Sequence, residues 1–218
     1  MKTTQAQRTD SATAPALSDR AQWPEVRALC AVGAFFHQQG WSRATSSNYS
    51  VVLSRDPLRL LITASGKDKS ALTPADFVIV DERGRPVDPQ DNKPSAETLL
   101  HVAAAERPGV GAVLHTHSVW ATVLSDICYD AGAVTIEGYE MQKGLAGITT
   151  HESKVTVPIF ENTQEIPKLA EQVRRSPAIQ HAYLIRRHGL YTWGATLEEA
   201  KRHVETLEFL FEVRGRTG

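Results

Sequence analysis

The sequence predicts an α/β sandwich built on a largely antiparallel sheet. Several segments carry apolar residues at three- and four-residue steps, the mark of amphipathic helices. Others are short apolar or alternating runs bounded by turn residues, as strands are. The two kinds do not alternate strictly: adjacent strand pairs are interrupted by helices, which argues against a doubly wound parallel sheet. The chain has 218 residues, 41% apolar and 22% charged, which suits one mid-sized domain with a sizeable core.

Taken in order, "WPEVRALCAVGAFFHQQG" opens with a proline and closes at Gly40, with Val26, Leu29, Cys30, Gly33 and Phe36 on one face; it predicts a helix. "SNYSVVLS", "LRLLITA" and "DFVIVDERGRPV" predict strands with turns between them. "SAETLLHVAAAE" predicts a helix with Ser95 as N-cap and Glu97 in the first turn. "GAVLHTH" predicts a strand, and "SVWATVLSD" a helix capped by Ser118. "VTVPIF" then predicts a strand and "NTQEIPKLAEQVRRS" a helix. "HAYLIRRHGLYTWG" predicts a hairpin bent at His188-Gly189, and the last segment, from Thr196, a long amphipathic helix. Residues 1–20 are expected to form a flexible polar tail, with a single domain over 21–218.

The bulk numbers exclude some functions. The net charge is −1 and the Lys and Arg residues are dispersed, so no basic stripe exists to follow a nucleic-acid backbone. No apolar run approaches the roughly 20 residues that span a bilayer. Cys30 and Cys128 form no CxxC pair, and a reducing cytoplasm is the expected setting.

The chemistry concentrates on histidine. Side chains on a strand alternate faces, so Val113, His115 and His117 share one side and Leu114 and Thr116 the other. His115 and His117 can therefore aim two imidazoles at one point. A catalytic zinc needs three protein ligands, with nitrogen about 2.0–2.1 Å from the metal. His188, at a tight turn beside Gly189, is the best third ligand on pattern; His101, one helical turn after Glu97, is the alternative. His37 and His203 are expected to be solvated and His181 structural.

Three stretches pair small hydroxyl residues with Gly, Asn or Lys: "TSSNYS", "TASGKDKS" and "KPSAE". Each can turn N–H and hydroxyl groups toward phosphate oxygens, but each alone reads first as a polar turn. Two carboxylates, Glu97 and Glu140, could move protons beside a metal-bound carbonyl. Spacing alone promotes neither, since Glu97 can simply favour a helix N-terminus and Glu140 can simply sit beside Lys143.

The ordered set is more specific than its parts. "SSNYS", "ITASGKDKS", "KPSAETLLH", "GAVLHTHSVWATVLS", "EGYEMQKGL", "THE", "VPIFENTQEI" and "RRHGLYTWG" together resemble the class II aldolase/adducin superfamily. Within it they are similar to the dehydratase branch of methionine salvage. The resemblance runs from about Trp23 into the C-terminal helix. It implies a three-layer α/β/α sandwich with a central mainly antiparallel sheet, assembled as a cytoplasmic homotetramer with sites near subunit interfaces. It also implies one Zn²⁺ per subunit on His115, His117 and His188, with Glu140 as general acid/base. Asn48, Ser65, Gly66 and Ser95 would fall in phosphate-binding loops, with Lys67 beside them. Glu97 matches the base and metal ligand of the aldolase branch, so retention of both carboxylates leaves their roles open.

The implied reaction is loss of water from 5-methylthioribulose 1-phosphate, giving 2,3-diketo-5-methylthiopentyl 1-phosphate. Two rivals remain. One is an aldolase or epimerase acting on fuculose, rhamnulose or ribulose phosphates with the same histidines and Glu97. The other is a non-catalytic adducin-like interaction module, which need not keep the metal ligands.

Overall fold

The computed structural model describes residues 20–218, so residues 1–19 of the expected tail lie outside the described residues. The helix α1 spans Pro24–Gln38, with its proline in the first turn and Gly40 at φ 77° just beyond its end. Strands β1 (Asn48–Arg55), β2 (Leu58–Thr63) and β3 (Phe77–Val80) follow, then α2 (Thr98–Ala105). Next come β4 (Ala112–Thr116), α3 (Val119–Ile127), β5 (Ala133–Ile136) and a 3₁₀ turn, Glu140–Gly144. The chain finishes with β6 (Val155–Phe160), α4 (Ile166–Arg175), β7 (Ala182–Ile185), β8 (Gly189–Gly194) and α5 (Leu197–Thr217).

All eight strands make one sheet in the order β3-β2-β1-β4-β8-β7-β6-β5. Every pairing is antiparallel except β6 with β7, which α4 connects. Helices cover both faces. Leu100 and Val102 of α2 and Leu169 and Val173 of α4 pack with Val113, Tyr183 and Tyr191 on one side. Helix α1 and the start of α5 pack with Leu114 on the other, and α3 with the rest of α5 completes that layer. Val113 and Leu114 thus enter opposite cores, as strand alternation requires.

Several details depart from the sequence expectations. Helix α2 begins at Thr98, so Glu97, not Ser95, occupies the N-cap position. Ser95 Oγ instead accepts from the Glu97 amide at 3.3 Å, a local serine turn that competes with helix. His203 is buried rather than solvated: its Nδ1 reaches the Trp193 carbonyl at 2.6 Å and its Nε2 accepts from the Ala146 amide at 3.0 Å. Strand β5 was not anticipated, because "AVTI" is only four residues and its alternation is too short to separate from a loop. Arg20 was assigned to the tail, yet it is 1% exposed and forks onto Asp91 through two bonds of 2.9 and 3.0 Å.

Candidate active site

The site is assembled at the end of β4, where pairing register decides which side chains meet. Asn48 on β1 lies opposite His115, and His115 lies opposite Tyr191 on β8. Opposed residues share a face, so all three point to the α2 and α4 side. The Tyr191 ring stacks on His115 at 4.0 Å and 14°, and Tyr183 stacks on Tyr191 at 4.9 Å and 4°. This aromatic column fixes the plane of His115 from behind.

His117 lies just past the strand, where its amide donates to the Trp41 carbonyl at 2.8 Å. His188 closes the turn between β7 and β8, and its amide donates to Ile185 at 3.1 Å. That turn holds Arg187 at φ 52°, an unfavourable conformation for a side-chain-bearing residue, costing about 1–3 kcal/mol. Helix α3 holds it in place. Ser125 Oγ accepts from the Arg187 amide at 2.9 Å, Asp126 binds both Arg186 and Arg187, and Thr122 Oγ1 donates to the His188 carbonyl at 3.2 Å. Gly189 follows because a β-carbon there would collide with the Thr116 carbonyl.

The three imidazoles converge. Ring centroids lie 4.5 Å apart for His115 and His117, 4.6 Å for His117 and His188, and 5.0 Å for His115 and His188. One nitrogen from each falls within 4.8 Å of the other two. The Nδ1–H of His115 donates to the Leu190 carbonyl at 2.9 Å, which leaves its Nε2 lone pair bare, buried and without a hydrogen-bond partner. Burial, then the neighbouring His117 and His188, holds the His115 pKa well below the ordinary range; burial and His188 lower His117 to about 4. Three imidazole nitrogens brought this close fit a divalent transition-metal ion, and the oriented Nδ1–H of His115 is the second hydrogen bond such ligands use.

Glu97 faces this tripod. Its carboxylate makes no helix-capping bond. One oxygen lies 3.2 Å from His188 Nε2, and the other lies 3.5 Å from His115 Nε2. The second oxygen also accepts from Asn48 Nδ2 at 2.8 Å. His101 orients that amide: its Nε2–H donates to Asn48 Oδ1, and its Nδ1 accepts from Ser50 Oγ at 2.8 Å. Full burial lowers the His101 pKa to about 3, so it is the neutral tautomer this relay needs. His101, weighed as a third ligand, is therefore committed to Asn48 instead.

A cleft of about 310 Å³ opens beside the tripod, with Glu97, His117 and His188 in its wall. Asn48, Ser65, Gly66 and Ser95 also line it, so the three hydroxyl-rich stretches meet in space. The Ser65 amide donates to the Lys93 carbonyl at 2.9 Å, which ties two of those stretches together.

Residues 27–214 match the family described as Class II Aldolase and Adducin N-terminal domain. The chain belongs to the class II aldolase and adducin family. It is 50% identical over 192 residues to a methylthioribulose-1-phosphate dehydratase of Marinobacter nauticus, covering 86% of this chain and 90% of the relative. A relative of the same name from Pseudomonas aeruginosa is 52% identical over 184 residues, covering 83% and 88%. Among solved structures, the L-fuculose-1-phosphate aldolase from Thermus thermophilus superposes with a TM-score of 0.69 at 27% identity, covering 86% of this chain and 91% of that one. A sugar-phosphate aldolase from Thermotoga maritima shares the fold, with a TM-score of 0.61 at 20% identity, covering 88% and 94%.

Two residues singled out in the family motifs stand apart from the cleft. Lys67 does not line it: the ammonium is 2.9 Å from Asp76. Glu140 lies on the 3₁₀ turn, 72% exposed, with its carboxylate 2.5 Å from Lys143 and 3.7 Å from His151. The Lys143 bond lowers its pKa. Within one protomer this is a surface ion pair, away from the tripod.

Other residues in and behind the cleft wall carried no signal in the sequence. Asn162, Thr163 and Gln164 of the β6–α4 loop line the cleft, although "ENTQ" carries no spacing that marks a site. Glu208 of α5 lies behind the histidine strand. One of its oxygens accepts from Thr116 Oγ1 at 3.0 Å, and the other is buried without a partner. Burial pushes this carboxyl up to about 7 from an ordinary 4.5. The folded state then holds a proton that the unfolded chain releases, so this contribution is full below about pH 4.5 and is lost as pH rises through 7. Glu208→Gln should melt higher than the wild type at pH 8, by roughly 2–3 kcal/mol, and converge with it near pH 5. Equal melting temperatures at pH 8 would contradict this reading.

Proposed function

We propose that this protein removes water from 5-methylthioribulose 1-phosphate to give 2,3-diketo-5-methylthiopentyl 1-phosphate, a step of methionine salvage. The observation that carries the reading is the His115–His117–His188 tripod, faced by Glu97 and opening on a hydroxyl-lined cleft. Relatives about 50% identical are methylthioribulose-1-phosphate dehydratases, which supplies the substrate of the proposal. Those three histidines would hold zinc, which when bound supplies a Lewis acid that acidifies the C–H beside the substrate carbonyl. Asn48, Ser65, Gly66 and Ser95 bind the phosphate end, orienting the sugar toward Glu97.

In the reaction, a carboxylate takes the C3 proton and a general acid gives a proton to the departing C4 hydroxyl. The C4–O bond breaks, water leaves, and the enol tautomerises to the diketone. Glu97 is the carboxylate present in the protomer's own cleft. Glu140 would complete the pair as acid/base from a neighbouring subunit of a cytoplasmic homotetramer, which would account for an exposed carboxylate at the position to which the family resemblance assigns acid/base work. Mixing His115→Ala and Glu140→Gln subunits tests this: assemblies that regain activity absent from either variant support it, and a dead mixture opposes it.

One observation favours a second reading. Glu97, rather than Glu140, faces the tripod, and the Thermus structure of similar fold is named an aldolase. An assay of metal-replete and chelated protein with 5-methylthioribulose 1-phosphate separates them. Dehydration yields the diketone, whereas an aldolase yields two smaller fragments and an epimerase loses no water. A metal-free protein that gains no activity on adding zinc would point to an interaction module.

A further inference from the structure

The cleft has an electrostatic gap. No Lys or Arg lines it among the described residues, and its only carboxylate, Glu97, repels an anion. The nearby Lys67 is spent on Asp76. Beneath the same loops lies Lys69, whose side chain is buried, with 1% of the residue exposed. Its ammonium donates to the carbonyls of Lys67, at 2.6 Å, and Thr45, at 3.4 Å. Among the described residues, no carboxylate comes within 4.0 Å of it. Thr45 and Gly66, one residue before Lys67, both line the cleft.

A buried ammonium with only carbonyl partners is costly, because neutral dipoles replace hydration incompletely. Burial accordingly lowers the Lys69 pKa to about 8. Gly33 of α1 lets the Lys69 backbone dock closely, since a β-carbon there would stand 2.6 Å from the Lys69 carbonyl oxygen. Nearby, Ala44 at φ 53° and Ser47 at φ 73° hold the Thr45–Ser47 loop in costly conformations that persist only where the surroundings impose them.

We propose that Lys69 is the counter-charge and positioning residue for the substrate's phosphate, acting from beneath the cleft through the two loops whose carbonyls it ties together. It need not touch the ligand. Hydroxyl and N–H groups of the loops make the direct bonds, and Lys69 supplies the positive charge that the lining lacks. The inference rests on the phosphorylated-substrate reading above.

The test is calorimetric titration of the full-length, metal-replete protein with inorganic phosphate. Wild type should bind it. Lys69→Met should bind it roughly tenfold more weakly or worse, with metal content unchanged. The KM for the phosphorylated substrate should rise by a similar factor, with a smaller change in kcat. Lys69→Arg, which keeps the charge, should recover much of the phosphate affinity; a purely space-filling role predicts no such difference. If Lys69→Met does not fold, Lys69→Gln replaces it, since its amide can still donate to one carbonyl. A neutral variant that binds phosphate as tightly as wild type overturns the role of Lys69. A wild type that binds no phosphate overturns the phosphorylated-substrate reading instead.

Discussion

Replacing His115 by alanine is expected to strip the protein of its metal and lower turnover by about 10³-fold or more. Loss of the metal removes several kcal/mol of charge stabilisation at the reacting carbonyl, which converts to a rate loss of that order. His115 is the sharpest probe because its environment serves one purpose. Its Nδ1–H is committed to Leu190, its ring is clamped against Tyr191, and its Nε2 is buried with no partner. Two remaining imidazoles leave an incomplete ligand set. Elemental analysis beside the activity assay checks the result. Retention of metal at the wild-type ratio would remove His115 from the ligand set.

Glu97→Gln should keep the metal and lose about 10²–10⁴-fold in turnover, the usual worth of a positioned acid–base group. The substitution preserves shape and can still accept the Asn48 amide, so binding geometry survives while the proton acceptor does not. The hydrogen-bond chain from Ser50 through His101 and Asn48 holds the Glu97 carboxylate in place. The companion variant Glu140→Gln assigns the roles. If Glu97→Gln turns over normally while Glu140→Gln is inactive, the proton chemistry belongs to Glu140. If both are inactive with metal bound, the two carboxylates divide the steps between them.

Much of this site was legible because its signals are local. His115 and His117 share a face through strand alternation alone, and Ser118 caps α3 by accepting from the Ala121 amide at 3.0 Å, as its position predicts. Glycine after His188 marked a turn that could project a side chain. Other features had no local signal. His203 looks like a polar-face residue by helical spacing, and only the packing of β8 and the Gly144–Ala146 segment against α5 buries it. Lys67 and Lys69 are near neighbours of one composition, yet one pairs with an aspartate and the other is enclosed beneath the loops.

By itself, the sequence determined the helices and nearly all the strands, the mainly antiparallel sheet and the shared face of His115 and His117. Those properties depend on periodicity, capping and turn chemistry within a few residues. The tertiary structure alone decided that Glu97 faces the tripod, that His101 orients Asn48, and that Glu208 and Lys69 are buried behind the site. These are relations between segments up to about a hundred residues apart. Sheet register and helix packing set them, and the cost of burying a charge depends on neighbours that only the fold brings near.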